Sequence, residues 1–243
     1  NTLMTGDPAW FSLPEMGQPL PRPDRIERVV FSPPLSAYYA EQALRVMEML
    51  GNLFPSADLY CAFHLLDASS EEATGEKSEN SAAMTQKVAA KNRAVRDAAD
   101  DLGYQVKQMA GDLENLEFYE KCDLHVGYEC HAHLYFFSRR IPSVLIAEDA
   151  RGVGFNYTLG VGGFTGFVRS QTISSAEKKD ITSGYCTSLA ELELAPPSNS
   201  VHREIERFLV EEVESGFRRY LGLAPYLDDV YRNRMRPFIQ SLP

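Results

Sequence analysis

The stretch CDLHVGYECHAHLYFFSRRIPSVLIAED, from Cys122 to Asp149, decides the reading of the fold. Its short apolar runs 123–128 and 143–147 read as strands, and 132–140 between them reads as a helix. Upstream the alternation continues. A strand at 104–110 and a short helix at 113–121 come first, preceded by a helix with Met84, Val88, Val95, Ala98 and Leu102 on one face and Gly103 at its end. Before a polar, aperiodic loop at 67–81 lie a strand at 59–64 and a helix that Ser36 starts and Gly51 stops, with Ala40, Ala43, Leu44, Met47 and Leu50 inward. The first strand is 29–31. Strands alternating with helices predict an α/β fold with a mostly parallel sheet, right-handed crossovers and helices on both faces.

Downstream the texture changes. Gly152, Gly154, Gly160, Gly162, Gly163 and Gly166 fall in one short span, which reads as a flexible loop or lid. Its spacing is not that of a dinucleotide-binding G-x-G-x-x-G, and no strand is expected to feed into it. A polar stretch, 170–200, precedes two helices, 201–221 (Val201, Ile205, Phe208, Leu209 and Phe217 inward) and 227–240. The expected organisation is a leading segment 1–27, a ligand-binding lobe 28–170, and a loop with helices, 171–243, packed on that lobe.

The 243 residues are 44% hydrophobic with a formal charge of −10, and Lys and Arg are nowhere concentrated, which argues against nucleic acid as a partner. No apolar run approaches the roughly 20 residues of a membrane span. Residues 1–20 do not read as a signal peptide, being broken by Asp7, Pro8, Pro14 and Glu15. Four unevenly spaced cysteines suit reduced thiols in a cytoplasmic protein. The chain opens with Asn and reads as a fragment of something longer.

Ligands of parallel α/β sheets bind beyond the strands' carboxyl ends, where helix N-termini offer free N–H groups. The junction from Gly127 and Tyr128 through Glu129 to His131 is therefore the first candidate site. Gly127 would admit a ligand close to the backbone, and His131 would bind an anion or move a proton. The plainer alternative makes Gly127 a turn and His131 a cap. Glu148, with Asp149 and Arg151, follows the last strand and offers a base for a sugar hydroxyl, or equally an acidic loop tied by Arg151. Ser32 follows the first strand and His64 ends the second, so both are expected at the same crevice, unless they are ordinary turn or core residues. Cys122, His125, Cys130, His131 and His133 lack the paired spacing of a zinc site, so no metal and no cofactor is expected.

Residues 122–152 resemble the polysaccharide pyruvyl transferase family, through Cys122–Tyr128, His131-Ala-His133, the Ile141–Ile146 strand, Glu148-Asp149 and Arg151-Gly152. Thr5–Trp10 resembles another family segment, so the likeness spans roughly residues 5–160. It implies a Rossmann-like donor-binding lobe, similar to the C-terminal lobe of a GT-B fold, whose N-terminal lobe is missing from this chain. It further implies transfer of enolpyruvyl from phosphoenolpyruvate, or from another phosphate-bearing donor, onto a sugar or glycan acceptor in polysaccharide synthesis. His131 and Glu148 would be catalytic. Ser32, Gly127, Tyr128, Glu129, His131 and Arg151 would bind the donor. The family carries Arg where this chain has Glu129, and a carboxylate repels the phosphate a guanidinium would grip. Two other readings stay open: a glycosyltransferase using a nucleotide-sugar, and a non-catalytic binding domain.

Overall fold

The computed structural model describes residues 5–21, 23, 25–64, 93–110, 113–168 and 196–242. The loop expected at 67–81, Met84, Val88 and most of the polar stretch 170–200 lie outside these residues.

Six strands form one all-parallel sheet: β1 (Arg28–Ser32), β2 (Asp58–Phe63), β3 (Gln105–Gln108), β4 (Leu124–Gly127), β5 (Ser143–Ala147) and β6 (Gly163–Thr165). Their spatial order is 3-2-1-4-5-6, the doubly wound, Rossmann-like order, in which the winding reverses between β1 and β4. The central strands are apolar because both faces are covered. Val29, Val30, Phe31, Leu124, Val126, Val144 and Ile146 are wholly buried. Each such side chain contributes about 1.5–3 kcal/mol on leaving water.

Helix α1 (Ala40–Leu53) connects β1 to β2 and buries Ala43, Val46, Met47 and Leu50 at helical spacing. It runs through Gly51, expected to stop it, because tertiary burial of the stripe outweighs one glycine's roughly 1 kcal/mol penalty. Helix α2 (Arg93–Asp101) precedes β3 and buries Val95 and Ala99. A 3-10 helix (Leu113–Lys121) leads into β4, and α3 (Cys130–Ser138) joins β4 to β5.

The glycine-dense span is ordered secondary structure, which corrects its reading as a loop or lid. Helix α4 (Ala150–Leu159) starts at Asp149, whose carboxylate accepts from the backbone N–H groups of Arg151 and Gly152. Gly152 lets this helix lie on β5, since a Cβ there would stand 2.9 Å from the Ala147 Cα. Gly163 then opens β6, the edge strand, paired with β5.

The expected helix 201–221 is also divided. Helix α5 (Val201–Ser215) ends at Gly216, and Gly216 and Phe217 both adopt left-handed backbone (φ 65° and 56°). A 3-10 turn (Arg218–Gly222), helix α6 (Leu223–Val230), a π-helical turn (Tyr231–Met235) and helix α7 (Arg236–Gln240) follow. The break turns Tyr220 into the body of the lobe, where its hydroxyl donates to the Ser143 carbonyl at 2.8 Å. Arg140, itself at φ 62°, reaches from the end of α3 to Asp228 of α6 at 2.5 Å, with both side chains buried. No helix among the described residues is long and apolar enough to cross a membrane.

Candidate functional site

The winding reverses between β1 and β4, the place where sheets of this kind take their ligands, and Glu129 stands there, two residues beyond β4. Its carboxylate caps α3, accepting from the His131 backbone N–H at 3.1 Å and lying 2.7 Å from His131 Nδ1. Its own N–H donates to Ser32 Oγ at 3.1 Å. Glu129 is nearly buried, whereas the His131 side chain is 77% exposed. The pair thus has a fixed anionic half and an accessible cationic half.

The pair sets both protonation states. Its hydrogen bond to Glu129 raises His131 above the ordinary imidazole value and outweighs partial burial. Burial pushes Glu129 up, but the hydrogen bonds from the His131 side chain and backbone N–H hold it below the usual carboxylate value. Each partner thus favours the charged form of the other, a carboxylate beside an imidazolium. This imidazolium can give a proton to a ligand.

Glu148 follows β5. Its two carboxylate oxygens accept from the backbone N–H groups of Leu35 and Ser36 at 3.0 and 3.3 Å, so it braces the loop after β1. Burial raises its carboxyl to about 8, with the charges of Asp149 and Glu129 adding to the rise. Glu148 therefore stands at the crevice in its protonated form at neutral pH. Arg151 is held by Asp149, with Nε 2.8 Å and Nη2 2.7 Å from Oδ2. Burial pushes the Cys130 thiol up to about 12, so it is an inert thiol.

Three residues expected to bind donor are turned into the protein. Ser32 is wholly buried, its hydroxyl 2.8 Å from His125 Nε2. At Gly127 the backbone of β1 passes close. A Cβ there would lie 2.2 Å from Ser32 Oγ and 2.3 Å from the Ser32 carbonyl oxygen. The Tyr128 hydroxyl donates to Gln42 Oε1 at 2.8 Å, while Gln42 Nε2 donates to the carbonyls of Gly166 and Ser198. These three are scaffold. His131 and Arg151 are exposed at this rim, with Glu129 and Glu148 set behind them.

A polar spine lies beneath this rim, and nothing in the spacing of its residues announces it. Ser143 Oγ lies 2.7 Å from both His125 Nδ1 and His133 Nδ1, continuing the contact of His125 with Ser32. Burial lowers His133 to about 3 and drives His125 well below its ordinary value, so both rings are neutral. Serines and histidines facing one another across three strands and a helix have no common spacing in the chain, so only the register brings them together. Cys61, Cys122 and Cys130 are free and buried, and among the described residues no three His, Cys, Asp or Glu side chains gather as a metal-holding group.

No protein-family model matches this chain, and a search of curated proteins finds no match. The functional reading therefore rests on the geometry of the rim and on the resemblance of residues 122–152.

Proposed function

We propose that this chain is the donor-side lobe of a GT-B-like, carbohydrate-directed transferase of the polysaccharide pyruvyl transferase kind, with His131 as its proton donor. The observation that carries this reading is the Glu129–His131 pair, an exposed imidazolium held by a nearly buried carboxylate at the switch point of the sheet. Enolpyruvyl transfer needs such a group. A proton added to the methylene carbon of phosphoenolpyruvate leaves a cation at the neighbouring carbon. One sugar hydroxyl adds there and loses its proton to a base. A second hydroxyl of the same sugar then displaces inorganic phosphate and closes the ketal. An imidazole whose protonated form is favoured by a carboxylate partner suits the first step.

The substitution of Glu129 for the family's Arg shapes the rest of the proposal. The carboxylate occupies the anion position at the α3 N-terminus, and Arg151 is engaged by Asp149, so the donor phosphate must be met by other groups. A second reading draws on the acidity of the rim. Glu148 lies within electrostatic reach of Glu129 and Asp149, and carboxyl and carboxylate oxygens accept readily from ribose or sugar hydroxyls. That lining suits a nucleotide-sugar glycosyltransferase.

Ligand-dependent melting separates the readings. A ligand at 100 times its Kd stabilises the folded state by about 2.7 kcal/mol. Phosphoenolpyruvate is expected to raise the melting temperature, and His131→Ala to abolish the rise. A rise with a nucleoside diphosphate sugar alone would favour the glycosyltransferase. No rise with either would leave a non-catalytic domain.

A further inference from the structure

His64 and Tyr119 lie within electrostatic reach of Glu129 and have no part in the reaction outlined above. His64 is the first residue after β2, at its carboxyl end, and Tyr119 projects from the 3-10 helix that leads into β4. His64 Nε2 and the Tyr119 hydroxyl are 2.6 Å apart, with the two rings stacked at 5.9 Å and 28°. Tyr119 is wholly buried, whereas His64 keeps partial exposure. Both feel the charge of Glu129, and His64 also feels that of His131.

The position of each proton follows from satisfying these groups. Burial raises the Tyr119 phenol well above its usual value, so it keeps its proton. Among the described residues, His64 Nε2 is the only hydrogen-bond partner of that hydroxyl. Leaving a buried O–H unpaired costs about 1–3 kcal/mol, so the phenol donates to Nε2. Nε2 then carries the lone pair, and the ring proton sits on Nδ1. Charging the ring would put a second proton on Nε2 and orphan the phenol hydrogen. Burial opposes that charge as well. Among the described residues, Nδ1 has no hydrogen-bond partner. A second imidazolium would be drawn to the Glu129 carboxylate, but a neutral ring stays available to a ligand.

We propose that His64 is a ligand-binding residue, donating Nδ1–H from a neutral imidazole to a carboxylate or phosphate oxygen of the bound molecule, in the tautomer that Tyr119 fixes. The proposal rests on the crevice being the ligand site and assigns its two histidines different work. His131 gives a proton, and His64 holds an oxygen without transferring one.

Nitrogen NMR of the imidazole rings in the full chain tests the tautomer directly. The expected result is a protonated Nδ1 and an unprotonated Nε2, with no charging of His64 around pH 6.5. Tyr119→Phe should release the ring to titrate. A proton on Nε2, or ordinary titration in the wild type, overturns the proposal whatever the ligand. Phosphoenolpyruvate should then shift the Nδ1–H resonance. His64→Phe should weaken its binding about tenfold or more, as expected for one hydrogen bond to a charged group. His64→Asn, which keeps an N–H near that position, should recover most of the affinity and serves as the folded control. If His131→Ala loses phosphoenolpyruvate while His64→Phe binds like the wild type, the crevice reading stands and this one falls. If the wild type does not bind phosphoenolpyruvate, the enolpyruvyl reading fails, and a nucleoside diphosphate sugar becomes the probe. A shift of His64 Nδ1–H with that probe supports the proposal, and no shift with either probe overturns it.

Discussion

Glu129 caps α3 and His131 stands in its first turn, and their shifts have opposite consequences for stability. The raised His131 value means its contribution is complete below about pH 6.5 and fades as pH rises through the folded value. The lowered Glu129 value means its contribution is present above about pH 4.5 and is lost as pH falls through the folded value. Glu129→Gln should bring His131 down toward its ordinary value, read as the midpoint of its NMR titration. Glu148 acts the other way. Its folded value of about 8 exceeds the ordinary 4.5, so the unfolded chain releases this proton first, and the residue costs stability as pH climbs from 4.5 to 8. Glu148→Gln should flatten that decline in denaturant titrations made across the interval. Gly127→Ala tests the scaffold. Its Cβ would meet backbone atoms of β1 that the ladder holds in place, so a loss of about 3 kcal/mol is expected in equilibrium unfolding.

At the scale of elements, the buried Arg140–Asp228 pair ties α3 to α6, and Gly17 N–H donates to the same carboxylate at 2.8 Å. Arg140→Met should cost about 3–5 kcal/mol by stranding a buried charge, and adding Asp228→Leu should recover much of it, as a double-mutant cycle of unfolding free energies would show. Neither residue stood out in the chain, because pairing across so long a separation leaves no local pattern. Local pattern did reveal the five strands from β1 to β5, whose apolar runs are bounded by turn residues. It misleads from Gly152 to Gly166, where glycine density reads as loop. Gly152 serves helix-on-sheet contact, and the Asp149 cap was the signal that α4 begins. At the site, the chain showed that Glu129, His131, Glu148 and His64 follow strand ends. It did not show that Ser32, Gly127 and Tyr128 turn inward, because side-chain direction at a strand end depends on the neighbouring strand. Tyr119 carried no signal beyond its place in a short helix.

For the whole molecule, the seam between β1 and β4 has a consequence in time. Ser32 and His125 meet across it at a separation of 93 residues, whereas His125 and Ser143 of β4 and β5 are 18 apart. Closing the longer loop costs about 1.5 kcal/mol more chain entropy. The halves β1–β2–β3 and β4–β5–β6 are thus expected to gain order before they join, and pulsed hydrogen exchange during refolding should find amides along the seam protected last. Uniform protection of all six strands at one rate would overturn that order. The crevice is made by the joining itself, so a molecule stalled with two ordered halves has every strand and no place for a ligand. A ligand added during refolding would select only chains that had finished, and the rate at which binding capacity appears would time the last step of folding.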